Sequence, residues 1–141
     1  MPTLPWTIPN QAPPGAEVYV MASRFEVRSF KDVPRFFWNS LSVWGQVRRA
    51  PGAYGASLIA RPFQRVFYTL SAWQDRDAVY AFARTEPHRS AMKGLGPTMR
   101  GSTFTFWQAT ADRLPITWAD AMERLAEQER ADALEAGGAG V

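Results

Sequence analysis

Residues 65–73 read Arg65-Val-Phe-Tyr-Thr-Leu-Ser-Ala-Trp73. Side chains alternate along an extended chain, so Val66, Tyr68 and Leu70 oppose Phe67, Thr69 and Trp73. Both sides carry large apolar groups, and a strand of that kind belongs to a sheet that is covered on both faces. Upstream, Ala53–Ala60 is a second strand, joined to the first through Arg61-Pro62-Phe63-Gln64. Glu17–Val27 sets Val18, Val20 and Ala22 against Tyr19, Met21 and Ser23, and Thr103–Ala109 sets Phe104 and Phe106 against Thr105 and Trp107.

Helical periods separate these strands. Ser29, Asp32 and Pro34 mark a helix start, and Val33, Phe37, Leu41, Trp44 and Val47 form an apolar stripe that Pro51-Gly52 ends. Asp75 caps a helix carrying Ala78, Val79, Phe82 and Ala83. Pro87 interrupts it, and Thr85 is placed to cap a short segment bearing His88, Ala91 and Met92. Thr117 with Asp120 reads as a capping box for a last helix that runs to about Leu134, with Trp118, Ala121, Met122 and Leu125 on its buried side. The order strand, helix, strand, strand, helix, strand, helix predicts an α+β, ferredoxin-like βαββαβ protomer with an extra C-terminal helix. Residues 1–15 are a Pro-rich arm, 16–134 a single domain, and 135–141 a flexible tail. An arm and one helix look too little to hide the second sheet face, so a homodimer with sheet packed on sheet is expected.

The chain has 141 residues, net charge +3 and no Cys, which excludes disulfides and thiolate chemistry. Its single His excludes a multi-histidine metal site within one subunit. The basic residues, mostly Arg, are scattered, with Arg48-Arg49 the one adjacent pair, so no nucleic-acid footprint forms. Pro2, Pro5, Pro9, Pro13 and Pro14 break the N-terminal stretch, and no apolar run reaches membrane-spanning length. A soluble, cytoplasmic protein without membrane insertion is expected. Gly94-Leu-Gly96-Pro follows a helix rather than opening one, and Ser40, Ser71 and Ser90 have no triad setting. Dinucleotide, ATP and serine-hydrolase chemistry are therefore disfavoured.

Thr69-Leu-Ser-Ala-Trp73 followed by Ala81-Phe-Ala-Arg-Thr-Glu-Pro-His88-Arg-Ser-Ala-Met92 resembles the dimeric α+β barrel superfamily, in particular the antibiotic-biosynthesis-type monooxygenases and the spheroidene monooxygenase-like proteins. Met99-Arg-Gly-Ser-Thr-Phe-Thr-Phe-Trp107 is similar to the closing strand of such relatives. The resemblance covers about residues 17 to 110 and implies a barrel formed across a dimer, with a cavity in each protomer between sheet and helices. It implies either a cofactorless oxygenase acting on a phenolic substrate in an aromatic pocket, or a haem protein. Matching the serine-x-tryptophan segments puts the haem relatives' histidine at Met92, so His88 would have to serve as axial ligand from one turn earlier.

His88 is the one side chain whose ordinary pKa lies near neutrality, which makes it the candidate base. In the first turn of a helix the dipole would keep its imidazole neutral. Trp73 is expected to stack on the ligand as its catalytic companion, with Tyr68, Phe82, Met92, Trp38, Trp44 and Asn39 lining the pocket. Arg24, Arg61 and Arg65 are candidates for holding an anionic group. The expected function is that of a monooxygenase-like protein with a small apolar or aromatic ligand and either no cofactor or haem. A non-catalytic dimer, with a ligand-binding or structural role, is the remaining alternative.

Overall fold

The computed structural model describes residues 3–139, with side chains through residue 136. Its elements are β1 (Thr3–Thr7), β2 (Glu17–Val27), α1 (Val33–Val47), β3 (Ala53–Arg61), β4 (Val66–Trp73), α2 (Arg76–Arg84), α3 (His88–Leu95), β5 (Met99–Thr110) and α4 (Trp118–Ala139). The five strands form one antiparallel sheet in the order β1-β3-β4-β2-β5. The α+β, ferredoxin-like core with a C-terminal helix is the architecture expected from the sequence. None of the described helices is long and apolar enough to cross a membrane.

The register sorts side chains to two faces. Tyr19, Met21, Ser23 and Phe25 of β2 stand beside Trp73, Ser71, Thr69 and Phe67 of β4. Helices α1, α2 and α3 cover this face, burying Phe25, Phe36, Phe67 and Leu95 at one end and Val47, Trp73, Val79 and Phe82 at the other. On the opposite face Val18, Val20, Ala22, Leu70 and Ala72 pack against Ile116 and against Ala121 and Leu125 of α4. Asp75 caps α2 by accepting from the Ala78 amide at 2.8 Å, and Thr117 caps α4 by accepting from the Asp120 amide at 3.2 Å.

Four sequence expectations change. Part of the Pro-rich arm is a strand: β1 pairs with β3, and the Trp6 ring lies over Gly55, where a Cβ would come within 1.9 Å of it. Thr85 does not cap α3. Its hydroxyl donates back to the Ala81 carbonyl at 2.6 Å, and Pro87 occupies the cap position without a side-chain bond. The segment expected as a tail from Glu135 continues α4 to Ala139, while residues 140 and 141 lie outside the described residues. Finally, α4 lies on the sheet face that a second copy was expected to cover. A single helix suffices there because it brings Ala121 and Leu125 to 0% and 2% exposure with Trp118 flanking them, so an uncovered face no longer argues for a homodimer.

Candidate functional site

A cavity of about 110 Å³ lies between the helix-covered face of the sheet and α1, α2 and α3. Its walls are mostly apolar, with Phe36 and Trp44 from α1, Phe82 from α2, Met92 from α3 and Trp73 from β4. Phe104 on β5, 39% exposed, marks its rim.

His88 lines this cavity as the first residue of α3. Its Nδ1 lies 3.1 Å from the Ala83 carbonyl oxygen. A carbonyl only accepts, so Nδ1 carries the ring proton and Nε2 keeps its lone pair. Burial lowers the His88 pKa from its ordinary value, and the bond to Ala83 opposes that shift in part. The ring centroid stands 5.0 Å from that of Phe82. The product is a neutral imidazole with one free acceptor nitrogen in an apolar setting.

Gln46 holds this residue in place. It is 7% exposed on α1, and its Nε2 donates to the carbonyls of Phe82 at 3.0 Å and Thr85 at 3.2 Å. Its Oε1 accepts from the His88 backbone amide at 2.8 Å. The break between α2 and α3 leaves the His88 amide without a helical partner, and Gln46 supplies one from a neighbouring helix while adding a second donor to the two carbonyls. Sequence reading missed Gln46 because a polar residue on a helix is normally solvent-facing. Only its position one residue before Val47 on the buried stripe could have pointed to it.

Trp73 is 1% exposed, its indole N–H donates to the Ser71 hydroxyl at 2.7 Å, and its ring lies 5.0 Å from Phe82. It forms a wall whose donor is already used. Asn39 also lines the cavity, with its amide N–H bonded to the Arg35 carbonyl at 2.8 Å. The structure thus brings His88, Trp73, Phe82, Met92, Trp44 and Asn39 to one cavity.

It does not bring the rest. Tyr68 points to the opposite sheet face, against Trp118 and the Arg61 guanidinium, because strand alternation separates it from Thr69, Ser71 and Trp73. Trp38 is 70% exposed, since six residues along a helix place it about 120° away from Trp44. Arg24 faces α4 and pairs with Glu129 at 3.6 Å. Arg61 covers Tyr68, and Arg65, in the β3–β4 turn, donates to the carbonyl of Arg28 just beyond β2 at 2.8 Å. None of the three arginines lines the cavity.

Haem does not fit this site. A porphyrin is several times larger than a single aromatic ring, whereas 110 Å³ is of single-ring order, on the scale of the roughly 150 Å³ apolar cavity that takes benzene. The cavity also lacks any arginine that could meet a propionate. A larger, open cleft of about 540 Å³ flanks the start of α4, lined by Arg113 and Arg124 but by no His or Met that could ligate the iron.

Neither a family model nor a curated protein matches the chain. Solved structures do. A candidate antibiotic biosynthesis monooxygenase from Nitrosomonas europaea aligns at TM-score 0.61 and 16% identity over 73% of this chain and 95% of that one. Another, from Caulobacter crescentus CB15, aligns at TM-score 0.57 and 21% identity over 67% of this chain and 91% of that one. SnoaB, a cofactor-independent oxygenase from Streptomyces nogalater, aligns at TM-score 0.53 and 17% identity over 67% of this chain and 94% of that one. At these identities the likeness is one of fold: the chain has the ferredoxin-like fold seen in these antibiotic biosynthesis monooxygenase structures.

Proposed function

We propose that this protein is a small cofactor-independent monooxygenase acting on a single-ring phenolic ligand held in the cavity between sheet and helices. The observation that carries this reading is the His88 imidazole, whose Nε2 is unprotonated in an apolar pocket and whose Nδ1–H is fixed on Ala83. In the proposed reaction His88 takes the phenolic proton, and the resulting phenolate is a far better electron donor than the phenol. Dioxygen is the oxidant. It bonds to a ring carbon that bears hydrogen, the peroxide O–O bond then breaks, and one oxygen leaves as water while the ring becomes a quinone. Each turnover consumes one phenol and one dioxygen and yields one quinone and one water. Trp73, Phe82 and Trp44 hold the ring flat by dispersion and exclude water from the intermediate. The description of SnoaB as cofactor-independent supports this reading at the level of the fold.

The test is oxygen uptake with single-ring phenols in metal-free buffer, alongside quinone formation read by absorbance. Uptake matched to quinone is expected, with a loss of about 10²–10⁴-fold in His88→Ala. Binding of the phenol without any oxygen uptake would favour the non-catalytic carrier instead. Added haem is expected to leave the protein without a bound Soret band, and a band lost in His88→Ala would restore the haem reading.

A further inference from the structure

Three aliphatic hydroxyls stand among large apolar side chains on the helix-covered face of β2 and β4. Ser23 on β2 faces Thr69 on β4, and their hydroxyl oxygens are hydrogen-bonded to each other. Ser71 follows on the same face, about 7 Å along the strand from Thr69. Ser23 is 0% and Ser71 5% exposed, and all three residues line the cavity.

Their donors do not balance. Ser23 and Thr69 own two hydroxyl protons and share one bond, and neither makes another among the described residues. The Ser71 oxygen accepts from the Trp73 indole, but no protein group among the described residues accepts the Ser71 proton. Two donors therefore stand unspent beside an otherwise apolar space. The backbone ladder already joins β2 to β4, so the hydroxyls are not needed to hold the strands together. Alanine or valine would be cheaper to bury at these positions than a hydroxyl without an acceptor.

We infer that Ser23, Thr69 and Ser71 form the subsite for a carbonyl-type oxygen on the ligand's ring. The cavity would then select single-ring aryl aldehydes, ketones and quinone-like compounds over hydrocarbons of the same shape. The inference rests on the reading of this cavity as a ligand site and adds the chemical class of the ligand. Recognition is by donation only: the hydroxyls meet an acceptor, while the His88 Nε2 meets a donor. A ring carrying one hydroxyl and one carbonyl satisfies both.

Benzaldehyde and styrene test this, because they match in size and differ in the acceptor. Neither has a phenol, so the measurement does not depend on proton transfer to His88. Calorimetric titration of the full chain is expected to show that Ser23→Ala with Thr69→Val weakens benzaldehyde binding about tenfold and leaves styrene unchanged. Thr69→Val alone keeps the side-chain volume and carries the same comparison if the double variant fails to fold. In the folded wild type, benzaldehyde is expected to shift the Trp73 indole N–H resonance through Ser71, and styrene to shift it less. Equal weakening of both probes, an unchanged preference, or no binding of either probe to the wild type would overturn the subsite. A benzaldehyde preference in a wild-type protein that takes up no oxygen with any single-ring phenol would sink the oxygenase reading and leave the subsite standing.

Discussion

The imidazole of His88 sits between two effects of opposite sign. Burial disfavours its charged form, and the Ala83 carbonyl favours it, with burial the larger. The folded state therefore binds a proton less readily than the unfolded chain, whose imidazole titrates near 6.5. The stability this implies is fully present above pH 6.5 and declines as pH falls through the folded value. Asp112, held below its usual range mainly by the Thr110 hydroxyl, loses its contribution only in stronger acid. Urea midpoints are expected to drop between pH 7.5 and pH 5 in the wild type and to drop less in His88→Gln. Gln46→Leu would leave the His88 amide without its partner and strip one of two donors from each of the Phe82 and Thr85 carbonyls, with an expected cost of about 1–3 kcal/mol. The same variant should change the His88 titration followed by NMR, because the α2–α3 break that aims the ring is released. An unchanged His88 titration would reduce Gln46 to packing. His88 and the apolar walls were legible in the sequence, since a lone titratable group among aromatics is visible without coordinates. Tyr68 was misplaced against a strand period that already separated it from Trp73. Gln46 and the hydroxyl row were not legible, because their meaning lies in partners 36 and 46 residues away.

Among the elements, β1 depends on one close approach. The Trp6 ring occupies the space where any side chain at position 55 would stand, with a Cβ at 1.9 Å. Gly55→Ala must therefore displace Trp6 from the sheet, and the strand is held further by the Ser57 hydroxyl on the Leu4 carbonyl at 2.8 Å. A loss of about 1–3 kcal/mol is expected, together with faster proteolysis of residues 3–16. Trp6→Ala should make the second substitution nearly silent, since both remove the same contact. Additive effects would place the cost elsewhere. The prolines explain why this strand escaped sequence reading: they suggest an extended chain without showing which edge it joins. The helices were easier. Asp75 and Thr117 announce their starts, whereas Thr85 misled because a threonine before a break can serve the helix behind it as well as the one ahead.

For the molecule as a whole, the decisive feature is where α4 lies. A sheet with apolar groups on both faces predicts cover on both, and that part of the reading holds in the layers α1–α3, sheet, α4. What the residue pattern could not supply was the source of the second cover. The stripe Trp118, Ala121, Met122 and Leu125 fits a sheet in its own chain as well as one in a neighbour. In the structure it fits its own, and Trp118 adds an indole bond to the Ser57 hydroxyl at 3.1 Å. Surface pairing of Arg24 with Glu129 adds little, so burial of Leu125 and Ala121 must supply most of the attachment. Leu125→Ala is accordingly expected to cost about 2–5 kcal/mol. Removing residues 117–141 would bare Val18, Val20, Leu70 and Ala72 as one apolar face. The shortened chain should self-associate more strongly than the full chain in sedimentation velocity and should bind a hydrophobic dye that the full chain does not. Identical sedimentation of the two chains would mean that the second face needs no cover. Cavity ligands act on the other side of the sheet, so benzaldehyde affinity should survive the truncation even where the oligomeric state changes.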